Sequence, residues 1–156
     1  EYTIPKKILT EAGITCVTAS TRKGTCYGMH GELVESDLTI DEVNPANYDG
    51  LVIPSGIGCQ DELWRNEKLI DIANVMGNAG KVTAAISLAP VILGEAGLLA
   101  GKKATTFATP ACIRVLELDK AIIVDETVVT DGKVVTAKSS FDAKAFGTAI
   151  LAALQN

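Results

Sequence analysis

Strand-like and helix-like segments alternate along most of this 156-residue chain, which leaves few architectures open to it. Residues 51–53 and 82–86 are short, largely apolar runs of the kind found in buried parallel strands. Asn66 can cap a helix that extends to about residue 78, and residues 141–154 have the periodicity of a last helix. The pattern predicts an α/β fold: a flavodoxin-like three-layer α/β/α sandwich whose mostly parallel sheet is covered on both faces.

The chain has a helical pattern ahead of its first strand-like run. Apolar residues such as Ile4 and Leu9 fall on one face of that helix, and residues 14–19 are predicted to form the strand that follows. An open α/β sheet usually begins with a central strand ahead of its first helix, so we expect a further strand that precedes Glu1, or otherwise a neighbouring strand that fills its place. A length of 156 residues suits one domain of about 100–200 residues, and we predict a single domain over residues 1–156.

The composition argues against several classes of partner. Lys and Arg number 14 and Asp and Glu 19, and the net charge of −5 offers no electrostatic footprint for nucleic acid or an anionic membrane surface. The most apolar stretch, residues 82–100, is interrupted by Pro90, Gly94 and Glu95, so we interpret it as a buried strand and helix. We therefore expect no nucleic acid partner and no membrane association.

The residues that bind metals and cofactors are sparse. The four cysteines are widely and irregularly spaced, and His30, which we expect on the surface, is the one histidine, so we expect no metal site. The glycine-rich loop at residues 55–58 lacks the third glycine of a dinucleotide fingerprint because Asp61 stands there, and we expect no cofactor. Cys59 can be a reactive thiol near this loop or a small apolar residue packed beneath it. The cysteine pattern favours a cytoplasmic protein with reduced thiols.

Ser87 follows the apolar run 82–86 and precedes a helical segment. A sharp strand-to-helix turn presents one side chain at the carboxyl edge of the sheet, beside N–H groups that can stabilise an oxyanion. Ser87 can therefore be a nucleophile on a strained elbow, or it can cap the helix that follows. Gly56 lies in the loop after another strand, where a glycine allows close backbone approach to a ligand or forms a plain turn. The elbow interpretation predicts unusual backbone angles at Ser87 and a cleft shared with Gly56.

Several segments, in this order, resemble the ThiJ/PfpI superfamily, and the resemblance covers nearly the whole chain. The family includes PfpI-type intracellular proteases and the parkinsonism-associated deglycase, and its fold is similar to that of class I glutamine amidotransferases. The resemblance therefore implies the same three-layer fold. The segments are EYTIP at residues 1–5, VTAS at 17–20, YDGLVIPSG at 48–56, AAISLAP at 84–90, EAGLLAGKKAT at 95–105 and VVTDGKVVT at 128–136.

The resemblance also implies roles for individual residues. Active members of the family carry a cysteine nucleophile on the elbow, where this chain has Ser87. A glutamate that hydrogen-bonds the cysteine in the family matches Glu1. The oxyanion hole of the family corresponds to the backbone N–H groups of Gly56 and Leu88, with Ser55 in place of a glycine.

Two parts of the family's chemistry are replaced in this chain. The hydroxyl of Ser87 replaces the family's cysteine thiol, and Phe107 stands at the position of the histidine in the deglycase-like branch. A serine hydroxyl needs an adjacent base, and Glu1 is the one candidate. The resemblance therefore implies a degenerate elbow in a binding or stress-related protein with weak or no hydrolase activity. The alternative is an active hydrolase, peptidase, glyoxalase or deglycase-like enzyme that uses Ser87 with Glu1, and a third interpretation is a structural or regulatory subunit.

The resemblance further implies what the chain binds. A small molecule or a peptide is expected in the cleft at Ser87. Family members commonly assemble as dimers or hexamers, so we expect a homo-oligomer. The resemblance adds neither a cofactor nor a metal to these expectations.

Overall fold

The computed structural model describes all 156 residues, from Glu1 to Asn156. Its α-helices are α1 (Thr3–Glu11), α2 (Glu67–Asn78), α3 (Pro90–Glu95), α4 (Pro110–Leu118) and α5 (Ala143–Gln155). Its strands are β1 (Ala19–Ser20), β2 (Gly24–Tyr27), β3 (Leu33–Ser36), β4 (Leu38–Thr39), β5 (Gly50–Ile53), β6 (Val82–Ile86), β7 (Lys103–Ala104), β8 (Ile122–Ile123), β9 (Val128–Asp131) and β10 (Val134–Ala137).

A four-stranded sheet in the order β5-β6-β10-β9 forms the centre of the molecule. Strands β5, β6 and β10 are parallel, and β9 is antiparallel to β10 at one edge. The register places Val52 and Val135 on either side of Ala84. Outside this sheet, β1 pairs with β4 and β7 with β8 in parallel, while β2 and β3 form an antiparallel hairpin. The central sheet is thus mostly parallel, as the sequence predicts.

Helices cover both faces of the central sheet, and alternate residues of β6 belong to opposite cores. Ala85 packs in the same core as Ile72 of α2 and Leu93 of α3. Ala84 belongs to the second core, with Phe146 of α5. Every residue of β6 is buried, because helices lie above and below it. The predicted three-layer α/β/α sandwich is confirmed.

Helices α1 and α5 approach closely because α5 has a glycine where they meet. A Cβ atom at Gly147 would lie 2.9 Å from Pro5 Cα and 2.8 Å from Ile8 Cδ1, well inside the distance at which carbon atoms pack. Ile4, which the helical pattern places on the buried face, is exposed. The contact fixes the position of α1, and Glu1 lies just before the first turn of that helix.

The structure differs from the sequence expectations at two further places. Within the predicted strand 14–19, hydrogen-bonded pairing begins only at Ala19–Ser20. The N–H of Thr18 instead donates to the side-chain carboxylate of Asp37, at 2.9 Å, which replaces a ladder partner at that position. The last helix begins two residues later than predicted, and Phe141 lies in the 3-10 turn before the helix, where its side chain is 97% exposed.

The strand expected ahead of Glu1 lies outside the described chain and stays a prediction. Strand β5 has β6 as its one ladder partner, and β1 pairs with β4 rather than with β5. The assignment of residues 1–156 to a single domain also stays a prediction.

Candidate active site

Ser87 lies directly after β6, where the chain turns toward helix α3. Its backbone φ is +63°, in the left-handed region that residues other than glycine rarely adopt. The strained backbone angle predicted from the elbow pattern is therefore present. The alternative in which Ser87 only caps the helix is wrong, because Ala89 occupies the N-cap position and no side chain caps α3.

Three hydrogen bonds hold the backbone of Ser87 in this conformation. Its N–H donates to the carbonyl of Ala137 at the end of β10, at 2.9 Å. Its carbonyl accepts from the N–H of Phe107 at 2.9 Å and from the hydroxyl of Thr106 at 2.7 Å. Such strain persists where the surroundings over-determine it. The Ser87 hydroxyl makes no hydrogen bond to the protein and is not a buried, unpartnered atom, so a ligand can reach it.

The loop after β5 reaches the same edge of the sheet and is tied to Glu1. The N–H of Ser55 donates to Glu1 Oε2 at 2.8 Å. The next residue, Gly56, has a φ of +143°, which side chains other than that of glycine rarely allow. The N–H of Gly56 has no acceptor within the protein. The structure therefore brings Glu1 to the Gly56 loop, although no hydrogen bond joins Glu1 to Ser87.

Leu88 carries the second amide that the family resemblance assigns to an oxyanion hole. This N–H donates to the hydroxyl oxygen of Ser55, at an N···O distance of 3.3 Å. The carbonyl of Leu88 accepts from the indole N–H of Trp64 at 2.8 Å. The bond to Ser55 is longer than an ordinary N–H···O bond and is therefore weak. The two amides differ accordingly: the N–H of Gly56 is open, while that of Leu88 is held by a side chain.

Cys59 lies beneath this loop, at the first position of a π-helical turn. The side chain is buried, and burial raises the pKa of the thiol to about 11. The neighbouring Ser55 hydroxyl opposes this pKa shift, while the negative charge of Glu1 adds to it. Since the thiolate is the reactive form, Cys59 acts as a small apolar residue packed beneath the loop.

The structure places no histidine at the elbow. Phe107 stands where the family resemblance places a histidine, and its N–H contacts the carbonyl of Ser87. Its side chain is exposed. His30 is exposed, as expected, and lies in the turn between β2 and β3 rather than in the loops around Ser87. No histidine therefore lies beside the backbone of Ser87.

Two residues shape the elbow without a clear sequence signal for it. Thr106 donates its hydroxyl to the carbonyl of Ser87, from the loop after β7, and no local sequence pattern indicates this contact. Trp64 is the single tryptophan, and a partly buried indole N–H usually finds an acceptor, but the sequence does not say which one. Both contacts depend on the tertiary arrangement of loops that are distant along the chain.

The family model described as DJ-1/PfpI family matches residues 1–153. The chain belongs to the DJ-1/PfpI family, which is the family named ThiJ/PfpI above. It is 42% identical over 151 residues to an uncharacterized protein of Methanocaldococcus jannaschii, covering 97% of this chain and 74% of that protein. It is 38% identical over 143 residues to Deglycase PfpI of Pyrococcus furiosus, covering 91% of this chain and 84% of that protein.

A solved structure confirms the fold. The chain superposes on the ThiJ/PfpI domain protein from Brachyspira murdochii with a TM-score of 0.92 and 30% sequence identity. The match covers 99% of this chain and 87% of that one. Agreement over this length shows that the chain has the same three-layer fold as that protein.

Two further observations concern metal-binding groups and membrane-spanning helices. The structure contains no group of three His, Cys, Asp or Glu side chains that could hold a metal ion. None of its helices has the length and apolar character needed to cross a membrane.

Proposed function

We propose that this chain binds a small molecule or a peptide carbonyl at the Ser87 elbow and turns it over weakly or not at all. The observation that carries the proposal is the isolation of the Ser87 hydroxyl, which has no hydrogen-bond partner in the protein. A serine hydroxyl is a poor nucleophile unless a base takes its proton. The elbow thus keeps its strained backbone and an open amide at Gly56 but lacks an activated nucleophile.

The contacts of Glu1 support the same conclusion. Its Oε2 accepts the N–H of Ser55, and no hydrogen bond connects it to Ser87. Phe107 provides no proton acceptor. Glu1 therefore serves to position the loop of Gly56, and an active serine would need a rearrangement that brings this carboxylate to the hydroxyl.

A deglycase-like or hydrolase-like activity that uses Ser87 with Glu1 is the second candidate. It is supported by the similarity to Deglycase PfpI of Pyrococcus furiosus and by the strained φ of Ser87, which a pure binding protein does not need. The two candidates differ in one property, the reactivity of the Ser87 hydroxyl.

Chemical labelling separates the two candidates. A fluorophosphonate forms a bond from phosphorus to an activated serine oxygen and releases fluoride, while a base takes the serine proton. We expect no labelling of the unsubstituted chain above that of Ser87→Ala, and equal, slow consumption of methylglyoxal-treated N-acetylcysteine by both proteins. Labelling at Ser87, with substrate turnover that Ser87→Ala loses, would establish the enzyme instead.

Binding can be followed through Trp64, the single tryptophan, because its indole contacts the carbonyl of Leu88. Pyruvamide and lactamide differ in one carbonyl, which lactamide has as a hydroxyl. We expect a saturable change of tryptophan fluorescence with pyruvamide that is weaker with lactamide. Ser87→Asn tolerates a positive φ and fills the elbow, so it should abolish the response. An unchanged response in Ser87→Asn would refute binding at this site.

We also propose a cytoplasmic homo-oligomer, either a dimer or a hexamer. Its support is the family resemblance together with the apolar side chains of Tyr27, Met29 and Leu33, which are 73%, 62% and 66% exposed around the β2–β3 hairpin. Exposed apolar groups that lie together commonly mark protein interfaces. The molar mass from light scattering should be two or six times 16.3 kDa, and a mass of 16.3 kDa at micromolar concentration would contradict the proposal.

A further inference from the structure

Ser55 holds the amide of Leu88 with its side chain. The Leu88 N–H donates to the Ser55 hydroxyl oxygen at 3.3 Å, and it has no other acceptor. The open amide of Gly56 is part of the residue directly after Ser55. The hydroxyl of Ser55 therefore occupies the amide of the residue directly after Ser87, which is the amide that the family resemblance assigns to the oxyanion hole.

We propose that Ser55 is a specificity-determining residue whose hydroxyl competes with the ligand oxygen for the N–H of Leu88. The inference rests on the proposed function, because it assumes a ligand oxygen at the Ser87 elbow. A ligand without an oxygen at this position leaves the bond between Ser55 and Leu88 intact. A ligand that presents a carbonyl oxygen, or develops an oxyanion there, must first displace the Ser55 hydroxyl.

The backbone of Ser55 is fixed independently of its side chain. Its N–H donates to Glu1 Oε2, and this bond does not involve the hydroxyl. Substitution of the side chain therefore removes the competitor while the loop keeps its anchor. Ser55→Ala frees the Leu88 amide, so that neither the N–H of Gly56 nor that of Leu88 then has an acceptor within the protein. Ser55→Thr retains a hydroxyl and serves as the matched control.

The size of the effect follows from the geometry. A neutral hydrogen bond contributes little net free energy in water, and one of 3.3 Å lies at the weak end of the range. Ser55 therefore weakens the oxyanion site without closing it. Removal of the hydroxyl should accelerate a reaction that develops an oxyanion by about fivefold, and leave a reaction without an oxyanion unchanged.

Two reagents on a Ser87→Cys background separate these reactions. With p-nitrophenyl acetate, the thiolate forms a C–S bond, the carbonyl electron pair moves to oxygen, and collapse of this oxyanion breaks the C–O bond and releases p-nitrophenolate. With iodoacetamide, a C–S bond forms while iodide leaves, and no oxyanion develops. Mass spectrometry locates each modification, which separates residue 87 from the four native thiols.

The expected result is a rise in the acylation rate at residue 87 for Ser55→Ala of about fivefold, with an unchanged alkylation rate. Ser55→Thr should keep the slow acylation. Equal acceleration of both reactions would overturn the inference, because Ser55→Ala would then only widen access, and so would an unchanged acylation rate.

Failure of the proposed function gives a different outcome. If iodoacetamide does not modify residue 87 faster than Cys16, the elbow is closed to ligands and both proposals fall. If residue 87 is modified readily but the ratio of acylation to alkylation does not respond to Ser55→Ala, the inference about Ser55 alone is wrong.

Discussion

The backbone N–H of Ser55 donates a 2.8 Å hydrogen bond to the carboxylate of Glu1, across 54 positions of the chain. This bond joins the segment before α1 to the loop after β5, at the edge of the sheet where Ser87 turns out of β6. The geometry of the elbow therefore depends on where α1 lies. Helix α1 is in turn held by its contact with α5 at Gly147.

Gly147→Ala tests this dependence. The added methyl group meets Pro5 Cα, a backbone atom that can move only with helix α1. We expect the free energy of unfolding to fall by about 1–3 kcal/mol, which is the usual cost of overpacking. Chemical denaturation measures this change. Thr148→Ala alters the exposed neighbour on the same helix and should have a much smaller effect. Equal stability of the two variants would mean that α1 and α5 are not tightly packed.

Ser87→Cys restores a thiol to the elbow without restoring a histidine. The thiol should gain little turnover, because Phe107 supplies no proton acceptor. It should still oxidise first, because the open N–H of Gly56 can favour a thiolate, whereas burial raises the pKa of the Cys16 and Cys59 thiols. Mass spectrometry after mild peroxide treatment should find residue 87 modified ahead of those two thiols.

The same variant can contradict the degenerate-site proposal. Glyoxalase and peptidase assays run in parallel with the oxidation should stay near background. Robust turnover by Ser87→Cys alone would show that Glu1 or another group suffices as proton acceptor. The interpretation of Phe107 as a lost catalytic position would then be wrong.

The parts of the fold that the sequence predicts well are those fixed by local chemistry. The Asn66 side chain caps α2 as predicted, since it accepts the N–H of Leu69, and the buried run of β6 is apolar enough to be recognised without a structure. The predicted strain at Ser87 also follows from a local strand-to-helix pattern. Periodicity and caps carry this information because each depends on residues only a few positions apart.

The parts that the sequence predicts poorly are contacts between distant loops. Nothing local indicates that the Ser55 hydroxyl accepts the N–H of Leu88, 33 positions away, or that Thr106 holds the carbonyl of Ser87. The family resemblance assigned the Leu88 amide to an oxyanion hole but could not show that a side chain already holds it. Such contacts depend on how the strand ends meet, which propensities and spacing do not determine.

Thr83→Val should stabilise the protein. The hydroxyl of Thr83 is fully buried in β6 and has no hydrogen-bond partner, so folding strips it of water without compensation. Valine has nearly the same shape and suits a strand. We expect a gain of about 1 kcal/mol, or roughly 2–4 °C in the melting temperature, from calorimetry.

Thr136→Val is the matched control for this prediction. Thr136 is equally buried on the neighbouring strand β10, but its hydroxyl oxygen accepts the N–H of Thr105 at 2.9 Å. The same substitution there leaves a buried donor without a partner and should lower stability. If both substitutions shift the melting temperature in the same direction, the hydrogen-bonding state of the hydroxyl does not decide the outcome.

Asp119 places a carboxylate in an unfavourable position at the end of α4. One of its oxygens is buried without a partner against the backbone of Gly94. Burial raises the pKa of Asp119, and the nearby charge of Glu95 adds to the increase. The residue also follows the last turn of a helix, where a negative charge is disfavoured.

Asp119→Asn should therefore raise the melting temperature at pH 7 and leave it unchanged near pH 3. Asp119 keeps its proton to a higher pH in the folded protein than in the unfolded chain, where aspartates titrate at about pH 3.9. The free energy of unfolding therefore falls as the pH rises from this value through the raised pKa of Asp119, and the loss of stability persists at higher pH.

Asp125→Asn is a control of opposite sign, because Lys138 lowers the pKa of Asp125 and stabilises its charged form. That substitution should reduce stability slightly at pH 7, and this loss should shrink as the pH falls through the lowered pKa of Asp125. Melting curves between pH 3 and 8 test both, and a constant offset for Asp119→Asn across this range would show that packing, not charge, accounts for the difference.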